Sequence, residues 1–333
     1  MQKKPLKECH ILVTPTSYGK YDKNLILKLE EMVKEVVYNT KGKPLGSGEL
    51  ASIIEDFDGM IAGLDEINKN VISKAKNLKV ISRYGSGYDR VDIKAAKEAG
   101  IYVTNTPGAN SISVAELTIG LAIAAARSIP HANIETKKGE WPRLKGITLQ
   151  GKVFGLIGLG SIAREVVLRL KGFNCKLVTY HPHRNFEFEG EHNIEYCSLD
   201  NLLGKSDFVS LHTLVSPATS KMVNKDFLNK MKKGSILINT SRGELIEEDA
   251  LYKSLKSGHL QAAALDAFSK EPPDHANPLL SLPQVIVTPH MGAGTDMAAN
   301  EMGRMTMEDC ITVLKGERPK YIVVEPNKTA NDN

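Results

Sequence analysis

The residues Val153-Phe154-Gly155-Leu156-Ile157 run directly into Gly158-Leu159-Gly160-Ser161-Ile162-Ala163. An apolar run of strand length, a glycine turn and a helical pattern over Ser161 to Lys171 make a strand–turn–helix spaced G-x-G-x-x-A. Few architectures accept that order, because a parallel strand must end where a helix begins. Gly158 permits the tight turn, Gly160 lets backbone approach a pyrophosphate, and Ala163 keeps the helix close to its strand. Phosphates at such a turn meet the helix N-terminus, where free N–H groups and the dipole favour anions. The competing reading is a glycine turn that only packs.

The chain on both sides repeats the pattern. Ile11 to Thr14, Asp58 to Gly63 and Lys79 to Ser82 read as strands, with a helix over Lys23 to Val36 on the spacing of Leu25, Leu29, Met32 and Val36. After the fingerprint come Lys176 to Tyr180, Asp207 to His212, Ser235 to Asn239, Ala262 to Asp266 and Val285 to Thr288. With Val153 to Ile157 they predict six parallel strands. The expected class is α/β, with two Rossmann-like doubly wound parallel sheets and a cleft between them. A length of 333 residues suits two cores. Ser113, with Glu116 three residues on, reads as a capping box for a helix from Val114 to about Ser128. That helix is apolar nearly all round, so an interdomain seam or a second copy is expected to cover it. A last helix is expected over Asp296 to Lys315, and the polar tail Asn327 to Asn333 is expected to lack structure.

Composition excludes more than it selects. The net charge is +4 with scattered basic residues, which argues against a nucleic-acid surface. Cys9, Cys175, Cys197 and Cys310 form no pair or cluster with zinc spacing, so no metal site and a reducing, cytoplasmic setting are expected. The most apolar stretch, Val114 to Ala126, is too short to span a bilayer and contains Glu116, so no membrane contact is expected.

Polar residues collect where the later strands end: Asn239-Thr240-Ser241-Arg242-Gly243, Asp266 through Glu271-Pro272, and Thr288-Pro289-His290. In an open α/β sheet the ligand crevice lies outside the carboxyl ends of the strands. Reducing a keto acid needs a cation for carboxylate and carbonyl oxygen, which the Arg242 fork supplies. It also needs a proton donor near neutral pH, for which His290 is suited. A carboxylate beside that imidazole favours its cation and fixes its orientation, and Glu271 is placed for it.

Together these residues strongly resemble the D-isomer-specific 2-hydroxyacid dehydrogenase family over about residues 8 to 320. The shared motifs are Ile81 to Asp89, Asn105 to Asn110 with Val114-Ala115-Glu116, the glycine fingerprint, Asn239 to Gly243, Leu265-Asp266 through Pro272, and Thr288-Pro289-His290. Residues Arg83-Tyr84-Gly85 look most like the phosphoglycerate-dehydrogenase-like, glyoxylate–hydroxypyruvate-reductase-like branch. The resemblance implies a discontinuous substrate domain, residues 1–104 and 296–333, around a dinucleotide domain, residues 105–295. It implies Arg242, Glu271 and His290 as catalytic groups, and Arg83, Tyr84, Ser86 and Gly87 at the substrate. The Ser86 and Gly87 N–H groups would hold its carboxylate, and Arg83 would meet a distal anion. The cofactor set is Gly158, Gly160, Ser161, Ile162, His181, Arg184, His212, Thr240 and Asp266, with Asp266 facing the nicotinamide carboxamide. A homodimer is implied. Substrates of the glyoxylate, hydroxypyruvate or 3-phosphoglycerate type are expected, with a nucleotide-sensing, corepressor-like protein as the alternative.

One departure bears on the cofactor. The residue after the second strand of the fingerprint, where an acid would take the ribose 2′-OH, is His181, and Arg184 follows. Lack of a carboxylate there, with a cation nearby, leans the expectation toward NADP over NAD. Alternatively, these are solvated loop residues and NAD is used.

Overall fold

A computed structural model describes residues 4–326; the tail expectation for Asn327 to Asn333 lies outside them. The strands are β1 His10–Val13, β2 Glu35–Tyr38, β3 Gly59–Ala62, β4 Val80–Arg83, β5 Tyr102–Thr104, β6 Val153–Ile157, β7 Lys176–Tyr180, β8 Ile194–Tyr196, β9 Phe208–Leu211, β10 Ile236–Asn239, β11 Ala262–Leu265, β12 Val285–Val287 and β13 Ile322–Val324. The helices are α1 Lys23–Met32, α2 Ser47–Ile53, α3 Lys69–Lys74, α4 Ile93–Glu98, α5 Ser111–Ala126, α6 Ile129–Lys137, α7 Ser161–Leu170, α8 Phe186–Glu191, α9 Leu199–Lys205, α10 Lys225–Lys230, α11 Glu248–Lys256 and α12 Asp296–Leu314.

The chain divides into two compact units. One comprises the described residues up to Asn110 and from Ala293 onward; the other runs from Ser111 to Gly292. The first unit holds a sheet ordered β13-β5-β4-β3-β1-β2, parallel except for the β13–β5 pair. Helix α12 packs on β3 and β4. At the start of β3, Gly59 gives it room: a Cβ there would lie 2.8 Å from Cys310 Sγ.

In the second unit the order is β12-β11-β10-β9-β6-β7-β8, parallel throughout. β9, β10 and β11 are buried along their whole length, as parallel strands covered on both faces must be. Strand order reverses between β6 and β9, which puts the ligand crevice of a doubly wound sheet at their carboxyl ends.

Three expectations are corrected. The helix expected over Lys23 to Val36 stops at Met32, and its last residues leave for β2. Val36 and Val37 are β-branched and pair parallel with β1, which outweighs the helical spacing. The second sheet has seven strands, not six: β8 was missed because three residues with one buried side chain carry no periodic signal.

The third correction concerns α5. It begins at Ser111, so Ser113 is a buried residue inside the helix rather than its cap. Within its own unit it packs on α7, β10, β11 and β12. No single helix among the described residues is long and apolar enough to cross a membrane.

Candidate active site

The glycine turn is built from contacts that only glycine allows. Gly158 has φ +97°, and a Cβ there would lie 2.3 Å from the His212 carbonyl oxygen. Its N–H donates to Tyr180 O at 2.8 Å. Three strand ends, of β6, β7 and β9, are thereby drawn together. Gly160 precedes α7 with no side chain capping the helix, and a Cβ on it would meet nothing within 4 Å. The N–H groups of Ser161 and Ile162, at the start of a ten-residue helix with no side-chain cap, suit a pyrophosphate. Ala163 is fully buried against the sheet, as the small third position requires. At the end of β9, the His212 ring contacts Ser210 Oγ through Nε2 at 2.9 Å. Burial pushes its pKa down to about 4, so it is neutral near pH 7.

At the end of β7 the cation expected to welcome a 2′-phosphate is already engaged. Arg184 donates from Nε and Nη2 to Glu189 Oε2 at 3.1 and 2.6 Å. His181 Nε2 lies 3.1 Å from Glu189 Oε1. Glu189, on α8, went unnoticed in the sequence because it stands eight residues beyond His181 and only the fold returns it there.

The catalytic candidates leave the sheet from neighbouring strands, with Asn239 in register with Leu265 and Leu265 with Val287. Asn239, fully buried, donates from Nδ2 to Arg242 O at 2.8 Å and accepts from Ser241 N at 3.0 Å, fixing the backbone that carries the guanidinium. Arg242 Nη1 donates to Ser241 O at 2.9 Å. Thr240 pairs with Thr118 of α5 through their hydroxyls at 2.8 Å.

His290 Nδ1 lies 2.8 Å from Glu271 Oε1, and the two side chains are 23% and 18% exposed. The pairing leaves Nε2 as the ring nitrogen turned away from the carboxylate. Glu271 Oε1 also accepts from Phe268 N at 3.2 Å. His290 sits at φ +52°, a left-handed conformation that a non-glycine residue holds only when its surroundings enforce it. Asp266 enforces it. Its Oδ1 accepts from Thr288 Oγ1 at 2.6 Å and Met291 N at 2.9 Å, and its Oδ2 from Gly292 N at 2.9 Å. A carboxylate has about four acceptor sites, so these bonds leave about one for a nicotinamide carboxamide. The clamp on both sides of His290 is the part of Asp266's work that sequence reading missed.

In the first unit, Arg83 is 2% exposed; its Nη1 donates to Ala62 O at 2.8 Å and its Nε to Gly87 O at 3.2 Å. The guanidinium expected to reach a distal anion is thus turned inward and holds the 85–87 loop. Tyr84 donates to Ala299 O at 2.8 Å, and burial pushes its phenol up to about 12. Asn105 Nδ2 donates to Ser86 O at 2.8 Å, and Thr106 braces Gly85, which has φ +142°. Among the described residues no acceptor takes the Ser86 or Gly87 N–H, which suits them to an anion. No cluster of three or more His, Cys, Asp or Glu among the described residues forms a metal site.

The chain is similar to several known proteins. Residues 119–292 match the family model for the D-isomer specific 2-hydroxyacid dehydrogenase, NAD binding domain. A D-3-phosphoglycerate dehydrogenase of Methanocaldococcus jannaschii is 43% identical over 305 residues, 90% of this chain but 57% of the relative, so the chain spans little over half of that protein. A glyoxylate reductase of Thermofilum pendens is 40% identical over 303 residues, 89% of each chain. The crystal structure of a glyoxylate reductase from Paecilomyes thermophila superposes with a TM-score of 0.84 at 27% identity, covering 96% of this chain and 99% of that one.

Proposed function

The chain belongs to the D-isomer specific 2-hydroxyacid dehydrogenase family, and we propose that it moves a hydride between a nicotinamide dinucleotide and C2 of a small D-2-hydroxy acid or 2-keto acid. The observation that carries the proposal is the His290–Glu271 pair on the same sheet rim as the glycine turn. The bound nicotinamide supplies or accepts the hydride. In the reducing direction, protonated His290 gives the proton on Nε2 to the carbonyl oxygen as it becomes a hydroxyl, and Glu271 on Nδ1 holds the ring in line. Arg242 binds the substrate carboxylate and polarises the carbonyl. Oxidation runs the same steps backward. Ser86 and Gly87 N–H groups are assigned to the substrate carboxylate, and Gly158, Gly160, Ser161, Ile162, His212, Thr240 and Asp266 to the nucleotide.

Glyoxylate, hydroxypyruvate and 3-phosphohydroxypyruvate are the substrates proposed first. They are tested by a panel crossing NADH and NADPH with small 2-keto acids while nucleotide oxidation is followed. Turnover on at least one is expected; nucleotide-dependent self-association with no turnover on any would move the reading to a nucleotide sensor. The Arg184–Glu189 pair weighs against the lean toward NADP. Four free thiols suit a reducing cytoplasm.

A second copy of the chain is proposed as the partner. Ile129, Ile134, Trp141 and Leu144 are exposed apolar side chains within and after α6, an unusual concentration for a solvated surface. Ile134→Glu is expected to convert a dimer to a folded monomer by light scattering; an unchanged mass would place the interface elsewhere.

A further inference from the structure

We propose that Glu189 sets the nucleotide preference, acting as an internal anion that holds Arg184 and His181 away from a 2′-phosphate and so selects the cofactor with a free 2′-hydroxyl. The placement is specific. His181 directly follows β7, where a βαβ dinucleotide site reads the ribose. That position lacks an acid in the sequence, yet the fold restores one from α8. Glu189 is 3% exposed and takes hydrogen bonds from Arg184 Nε and Nη2, from Asn185 N at 3.0 Å, and has His181 Nε2 at 3.1 Å.

This donor set is the one a phosphate monoester would need: a guanidinium fork, an imidazole and a backbone N–H. Here an internal carboxylate fills it. The guanidinium is also fixed in place, lying 4.3 Å from the ring centres of both Phe186 and Tyr196. The His181 ring meets Tyr196 edge-on at 5.8 Å. Burial raises the Glu189 carboxyl, but the bonds from Arg184, His181 and Asn185 outweigh it and hold the group below the ordinary carboxylate range, so it is ionised near neutral pH.

A 2′-phosphate entering this corner meets two obstacles. It brings a second anion against a buried one, and it can recruit Arg184 only by stripping a buried carboxylate of its partner. A 2′-hydroxyl carries neither cost. Glu189 is thus a positioning residue acting through Arg184 and His181, and the discrimination comes mainly from rejection of the wrong ligand.

The inference rests on the nucleotide binding at the glycine turn, as the proposed function requires, and its readout is binding rather than turnover. Calorimetric titration of the full chain is expected to show NADH bound at least about tenfold more tightly than NADPH. Glu189→Gln is expected to raise NADPH affinity relative to NADH by about tenfold or more, and Arg184→Ala in that background to cancel the gain. Glu189→Ala, which cannot clash, gives the same comparison should the Gln variant fail to fold by circular dichroism. A merely structural role lowers both affinities together and leaves their ratio unmoved, which overturns the proposal. So does a wild-type preference for NADPH. Binding of neither nucleotide overturns the nucleotide reading itself, whereas NADH binding without turnover on any keto acid sinks only the catalytic one.

Discussion

Replacing His290 by Ala is expected to lower kcat on the best 2-keto acid by about 10²- to 10⁴-fold, the range that a positioned acid–base group supplies. NADH affinity is expected to stay within about threefold of wild type, since the glycine turn lies on other strands. The size of the loss follows from the geometry. Among the described residues His290 is the one imidazole on this rim with a carboxylate on Nδ1, at 2.8 Å, so water arriving in its place lacks both the orientation and the paired charge. Single-turnover kinetics with NADH preloaded separate the chemical step from binding. A variant that keeps its rate would leave the proton with another group and end the role given to the His290–Glu271 pair.

Gly243→Ala is expected to be the most damaging small change in the molecule. A Cβ on Gly243 would lie 1.9 Å from the Phe268 carbonyl carbon, 2.2 Å from Ser269 N and 2.4 Å from Phe268 Cα. All three are backbone atoms, so no rotamer relieves the overlap. The segment after β10 must move away from the segment after β11. Overpacking that side-chain adjustment cannot absorb costs about 3 kcal/mol or more, a fall of about 6–12 °C in Tm for a unit of this size. Activity is expected to fall further than stability does, because the displaced segments carry Arg242 on one side and Glu271 on the other. Calorimetry and kcat/KM on the same preparation check both parts; a variant with native Tm and rate would mean the two segments are not held in contact in solution.

What could be read from the sequence follows where periodicity and polar breaks coincide. β6, α7 and β7 were placed to within a residue because a glycine turn bounds them and apolar spacing fills them. That Arg242, Glu271 and His290 lie beyond strand ends was legible because polar residues close strands that are otherwise apolar; their roles remain the proposal above. Val36 was misassigned because its helical spacing is a local signal, while its strand partner on β1 is distant in sequence. Side-chain direction was not legible at all. Nothing in Arg83-Tyr84-Gly85 says that the guanidinium turns back to Ala62 O, or that Asp266 grips the chain on both sides of His290. Glu189 was invisible for the same reason: its partners are assembled by the bend between β7 and α8, not by spacing along a strand.

The order β12-β11-β10-β9-β6-β7-β8 seats the two tasks proposed for the second unit on opposite flanks. β11 and β7 stand four strand spacings apart, about 19 Å at the usual interstrand distance. Substitutions that far apart combine with little coupling. The choice of electron carrier is therefore a trait that mutation can revise without disturbing proton transfer, and a lineage adapting to a new redox pool would need to rework only one corner of the sheet.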